Sequence, residues 1–84
     1  MYKVYVLYSR GFDKLYIGFT SSLRARIESH NLLGTHDWTR SYRPWLLIYI
    51  EEFETQQEAI KREKALKGGK GREYLRHEIL SIYQ

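Results

Sequence analysis

The chain has 84 residues, 43% of them hydrophobic, which suffices for one compact domain spanning 1–84 and not for two, since a chain this short buries only about 60% of its unfolded surface. It has no cysteine, which excludes disulfides and thiolate metal sites, and its longest apolar run, Trp45 to Ile50, is far shorter than the ~20 residues a membrane helix needs. The net charge of +4 arises in one place: residues 1–60 hold seven Lys/Arg and seven Asp/Glu, residues 61–84 seven and three.

The start, Met1-Tyr2-Lys3-Val4-Tyr5, runs directly into strand-like sequence with no charged n-region, apolar h-region or cleavage site, so a cytoplasmic protein is expected. Tyr2 to Tyr8 is rich in Val and Tyr with apolar residues on both faces, the pattern of a central strand covered on both sides. Arg10-Gly11-Phe12-Asp13 offers turn residues and Leu15 to Phe19 resumes the strand pattern, which predicts an antiparallel hairpin. A turn centred between Gly11 and Phe12 sets Tyr5 opposite Gly18, on one face with Leu7 and Tyr16, and the missing side chain at Gly18 leaves room over Tyr5.

Thr20, Ser21 and Ser22 are N-cap candidates for a helix from Leu23 to about Leu32, with Gly34 as its stop. A polar and aromatic loop, Thr35 to Arg43, leads to Pro44 and a third strand, Trp45 to Glu51. Thr55-Gln56-Gln57-Glu58 is a capping box opening a helix through Lys67. Gly68-Gly69-Lys70-Gly71 is expected to break that helix, and Leu75, Ile79 and Ile82 mark a last one over Glu73 to Tyr83. The order β-β-α-β-α-α describes an α+β domain with a three-stranded antiparallel sheet flanked by helices.

Three polar side chains conflict with this folding pattern. At about 100° per residue, with Leu23 at zero, Ile27 falls near 40°, His30 near 340° and Arg26 near 300°, inside the apolar arc of their helix. Glu63 lies between Ala59 and Leu66 on the apolar arc of its own helix. Arg and Glu are rarely buried unpaired, so one reading is a structural Arg26–Glu63 ion pair with His30 as a hydrogen-bonded core histidine. The other is a functional cluster. Lys61, Arg62, Lys64, Lys67, Lys70, Arg72 and Arg76 form a basic stripe that suits a polyanion or, equally, a solvated helix face. His36 and His77 lack such support and are expected at the surface.

Val4-Tyr5, Tyr16-Ile17-Gly18, Arg26 eight residues past that glycine, His30 four further on and the run Glu58 to Lys67 around Glu63 together resemble the GIY-YIG nuclease domain. The likeness covers Tyr2 to about Lys67, leaves no appended recognition domain and points to the small stand-alone bacterial members, related to the catalytic domain of the excision-repair nuclease subunit. The first triplet departs from the family, reading Lys3-Val4-Tyr5, so only its tyrosine is kept.

The resemblance implies a metal-dependent endonuclease that hydrolyses DNA phosphodiester bonds in repair or recombination. Glu63 would hold a single Mg²⁺ or Mn²⁺, Arg26 would clamp the phosphate, and Tyr5 would orient or deprotonate the attacking water, its pKa lowered by nearby cations. Tyr16 would position the scissile phosphate, with His30 an auxiliary proton-transfer or phosphate-contacting group. Arg24, Arg40, Lys64, Lys67, Lys70 and Arg72 are the expected nucleic-acid contacts. Gly68 to Gly71 superficially suggests a phosphate loop but lacks the preceding strand and the following Ser/Thr. The competing functions are a binding module of the same fold without turnover and a protein-interaction domain that uses exposed aromatics.

Overall fold

In the computed structural model, which describes residues 1–28 and 41–83, β1 (Tyr2–Ser9), β2 (Lys14–Thr20) and β3 (Leu46–Phe53) form one antiparallel sheet in the order β2-β1-β3. β1 takes the centre because both of its faces are apolar: Val4, Val6 and Tyr8 are buried in one core, Tyr5 and Leu7 in a second core on the other side. The hairpin has the expected register, with Tyr5 opposite Gly18 and Leu7 opposite Tyr16. Asp13 takes a left-handed conformation at φ 53° in the turn, where its carboxylate accepts from the Tyr8 hydroxyl at 3.0 Å and from Arg76 at 3.1 Å.

The third strand is displaced from its expected span of Trp45 to Glu51. Pairing to β1 begins at Leu46 opposite Tyr8 and continues to Phe53 opposite Tyr2, so the length of the central strand sets that of its neighbour. Trp45 stands before the strand and is buried beside Tyr5 and Leu7. A bulge between Val6 and Leu7 inserts Ile48 as an extra residue, and Ile48 joins the core on the Val4 face.

Helix α1 (Leu23–Glu28) covers the Tyr5 face through Leu23 and Ile27. The expected continuation to Leu32, the loop through Arg40 and the candidates His30 and Arg40 lie outside the described residues. Helix α2 (Gln56–Lys67) covers the Val4 face through Ala59 and Leu66 and starts at the predicted capping box: Thr55 Oγ1 accepts from Glu58 N, and Glu58 Oε1 accepts from Thr55 N, both at 3.2 Å.

The glycine segment ends α2 as expected, but the break does not extend over the whole segment. Only Gly68 interrupts the chain, and α3 (Gly69–Tyr74) begins at once, passing through a π turn (Leu75–Ile79) into a final 3₁₀ turn (Leu80–Tyr83). Glycine is needed here for proximity rather than flexibility, since a Cβ on Gly71 would lie 2.6 Å from the Leu66 carbonyl oxygen and closer still to the Ala65 oxygen and the Leu66 Cα. The close crossing seats Leu75 and Leu80 in the Val4-face core, where each apolar side chain contributes about 1.5–3 kcal/mol of burial. The α+β architecture and the order β-β-α-β-α-α therefore hold, with the last two helical elements packed against each other.

Candidate active site

On the Tyr5 face, β1, β2 and α1 bring three of the predicted residues together. The Tyr5 and Tyr16 rings stack at 6.1 Å between centroids, and Tyr16 meets Trp45 edge-on at 6.3 Å. The Tyr5 hydroxyl accepts from the Arg26 guanidinium and shares a hydrogen bond with Tyr16. Gly18 makes this possible: a Cβ there would lie 2.8 Å from the Tyr5 oxygen and 3.0 Å from Tyr16. Its role as a spacer over Tyr5 is the one expected from the hairpin register.

Arg26 arrives by a route the helical wheel does not anticipate. The residue is exposed rather than turned into the apolar arc. Among the described residues of this helix Leu23 and Ile27 face the sheet, and the long Arg26 side chain carries its charged head back to Tyr5. Glu63, in contrast, is largely covered, its side chain only 16% exposed, and Lys67 Nζ lies 3.3 Å from its Oε1. The Arg26–Glu63 ion pair is not formed, because α1 and α2 lie on opposite faces of the sheet. Glu63 Oε2 accepts no hydrogen bond among the described residues.

The two halves meet at the sheet rim. β2 is an edge strand, so groups from the two faces can approach one another around it. There Leu15, Tyr16 and Ile17 line a cavity of about 280 Å³ together with Lys67 and Arg72. Arg72 Nε donates to the Lys67 carbonyl at 3.1 Å, which fixes the plane of its guanidinium. Glu63 is paired with Lys67 on α2, Tyr5, Tyr16 and Arg26 meet on the other face, and Lys67 and Tyr16 both line the rim cavity, in place of the direct meeting of Arg26 and Glu63 that the wheels suggest.

The basic stripe is likewise less uniform than the sequence implies. Arg62 donates to both Glu51 oxygens at 3.0 Å, Arg76 pairs with Asp13 at 3.1 Å, and Lys67 is held by Glu63. Among the described residues Lys61, Lys64 and Lys70 have no such partner; Lys70 lines a shallow groove with Glu73, Tyr74, His77 and Glu78. Arg24 is largely exposed, 3.8 Å from Glu28, and His77 is exposed as expected.

Sequence reasoning misses the network behind α2, where Tyr49 packs edge-on against Tyr74 at 6.3 Å and its hydroxyl donates to Glu51, which also holds Arg62. Burial would raise the Glu51 carboxyl, but hydrogen bonds from Arg62 and Tyr49 and the Arg62 charge hold it below the usual carboxylate range. The only signal is strand alternation at Tyr49, which reads equally well as packing.

With this arrangement in view, the match of the GIY-YIG catalytic domain model to residues 1–75 is decisive. The chain belongs to the GIY-YIG family. It is 38% identical over 55 residues to a UPF0213 protein of Staphylococcus haemolyticus, a match covering 66% of this chain and 67% of that one. It is 42% identical over 53 residues to UPF0213 proteins of Staphylococcus aureus strains Mu3 and N315, covering 63% of this chain and 65% of theirs. The chain spans about two thirds of the length of these relatives, whose names state no activity. GIY-YIG proteins are a family of nucleases, which gives the cluster on the Tyr5 face a chemical context.

One expectation for the GIY-YIG tyrosine is corrected. Burial, reinforced by the neighbouring Tyr16, pushes the Tyr5 hydroxyl up to about 12, and the hydrogen bond and charge of Arg26 offset only part of that. A net lowering by cations does not occur. The folded state therefore holds the Tyr5 proton more tightly than the unfolded chain, whose tyrosine titrates near 10. This contribution is intact below pH 10 and is lost as pH rises toward 12, by about 2–3 kcal/mol at 1.36 kcal/mol per pKa unit. Urea unfolding at pH 9 and pH 11.5 should show that alkaline loss in the native chain, and Tyr5→Phe should reduce it, leaving the part due to Tyr49, whose hydroxyl burial also raises. An equally steep loss in the variant would show that Tyr5 is not the group responsible.

Proposed function

We propose that this protein is a cytoplasmic, metal-dependent DNA endonuclease that hydrolyses phosphodiester bonds, serving DNA repair or recombination. The observation that carries this reading is the cluster of Tyr5, Tyr16 and Arg26 on one face, with Lys67, the partner of Glu63, lining the rim cavity that Tyr16 also borders, in a chain of the GIY-YIG family. No described helix is long and apolar enough to cross a membrane.

The donor set fits a hard, hydrated divalent ion. Among the described residues no group of three His, Cys, Asp or Glu could cage a metal, whereas Mg²⁺ or Mn²⁺ needs few protein oxygens and keeps its own waters. Glu63, with Oε2 uncommitted among the described residues, would hold it, and the bound ion would supply charge neutralisation at the phosphate oxygens and leaving group. Arg26 presents a planar donor fork to the phosphate from beside Tyr5. Tyr5 stays protonated at neutral pH, so it orients the attacking water by hydrogen bonding and does not act as a standing anionic base. Tyr16, stacked on Tyr5 and lining the rim cavity, positions the phosphate between the two. His30 completes the proposed constellation as an auxiliary proton-transfer or phosphate-contacting group, and Arg40 is a nucleic-acid contact.

Purified protein incubated with branched, flapped and plain duplex DNA should cleave at least one substrate in Mg²⁺ or Mn²⁺, and EDTA should stop it. Arg26→Ala should reduce the rate about a hundredfold, the usual cost of one phosphate-oxygen donor. Failure to cleave any substrate, or cleavage indifferent to Arg26→Ala, overturns the proposal. Salt-sensitive DNA binding without product would instead support a binding module, which Lys61, Lys64 and Lys70, without partners among the described residues, favour.

A further inference from the structure

Lys67 occupies two environments at once. Its ammonium is tied to Glu63 at 3.3 Å, yet its side chain also lines the rim cavity with Tyr16 and Arg72 and is 49% exposed. Arg72 Nε is committed to the Lys67 carbonyl, while the remaining guanidinium donors have no hydrogen bond among the described residues. A cavity bordered by a lysine and an arginine fork along the edge strand at Tyr16, with apolar walls from Leu15 and Ile17, suits a phosphate. The Glu63 carboxylate, however, competes with any such phosphate for Lys67.

We infer that this rim cavity is a phosphate subsite for the strand carrying the cleaved bond, and that Lys67 enters it when Glu63 is neutralised, which couples cation binding to phosphate binding. The inference rests on the nuclease reading for the identity of the strand but not for the coupling. With Glu63 anionic and bare, Lys67 is its counter-ion and the subsite holds Arg72 alone. With a divalent cation on Glu63, the ammonium is released towards the cavity, one helical turn from its former partner. Cation and DNA then favour each other's binding, and by linkage the effect is reciprocal.

The test is a double-substitution cycle read by fluorescence anisotropy on a labelled duplex in EDTA, so that no metal and no cleavage enter. Glu63→Gln releases Lys67 without a cation, and one additional phosphate contact adds a salt slope of about 0.9, roughly eightfold in affinity at 0.1 M salt. Glu63→Gln should therefore bind about eightfold more tightly than the native chain, with a salt dependence steeper by about one contact. In a Lys67→Met background the same change should gain less than twofold, and in a Lys67→Arg background the gain should persist. Arg72→Gln should weaken binding in every background, with a slope shallower by about one. As the reciprocal readout, calorimetric titration of Mn²⁺ without DNA should show tighter binding to Lys67→Met than to the native chain. Equal gains from Glu63→Gln with and without Lys67, or no gain, or no DNA binding by any variant, would overturn the coupling. Native protein that shows the coupling but no cleavage in Mn²⁺ sinks the nuclease reading alone, whereas cleavage with a flat cycle sinks this inference alone.

Discussion

Gly71→Ala should destabilise the protein by about 3 kcal/mol or more, while the neighbouring Gly69→Ala is neutral or stabilising by about 0.5–1 kcal/mol. The contrast follows from what each new methyl meets. A Cβ on Gly71 runs into the Ala65 oxygen, the Leu66 Cα and, at 2.6 Å, the Leu66 oxygen, all of them backbone atoms that no rotamer change can move. At Gly69 nothing lies within 4 Å, and Gly68 meets only the Ala65 oxygen at an ordinary 3.5 Å. Relief at position 71 requires α3 to withdraw from α2, which uncovers Leu75 and Leu80 from the Val4-face core. In a domain of this size each kcal/mol moves the melting temperature by about 4–8 °C, so the melt should fall by more than about 12 °C. Withdrawal would also draw Arg72 from the rim cavity, so residual folded protein should bind DNA less well. Similar melting temperatures for the two alanine variants would show that the close crossing is not where the fold is most constrained.

The glycine segment also marks where the chain's own pattern stops being informative. Gly68, Gly69 and Gly71 look alike in sequence, and glycine inside a helix is ordinarily a cost, so a break over the segment is the reasonable expectation. Only the approach of a second helix distinguishes Gly71. The hairpin is the opposite case: alternation, turn residues and length together admit one register, and the pairing of Tyr5 with Gly18 and its spatial consequence are legible in the residues themselves. Arg26 and Glu63 fall between these. A helical wheel reports direction relative to one helix axis and is silent on which face of the sheet that helix covers. It therefore marks Glu63 correctly as a covered carboxylate, misplaces the Arg26 stem, and carries no sign that the two helices lie on opposite sides. The partners of the basic residues are hidden for a related reason. Arg62 to Glu51 and Arg76 to Asp13 join separate elements of the fold, and no local spacing encodes them.

Glu63→Gln should abolish cleavage, by about a thousandfold or more, with the fold intact. A carboxylate that holds the catalytic ion contributes several kcal/mol of transition-state stabilisation, and each 1.36 kcal/mol is worth about a factor of ten. Glutamine keeps the shape of a side chain that is largely covered on α2 but cannot supply the anion. The stability cost is small because the pair removed is the Lys67 contact between residues four apart on one helix, worth about a few tenths of a kcal/mol. Tyr5→Phe provides the informative comparison. It leaves Glu63 in place and deletes a hydroxyl that accepts from Arg26, so cleavage should fall by about a hundredfold or more while Mn²⁺ binding is unchanged. Glu63→Gln should lose the Mn²⁺ heat altogether. The two variants therefore separate by calorimetry even where both are inactive, and by DNA affinity, which Glu63→Gln raises in EDTA and Tyr5→Phe does not. Retention of Mn²⁺ binding by Glu63→Gln would remove Glu63 from the metal site and leave the Tyr5–Arg26 cluster as the only part of the proposed centre still standing.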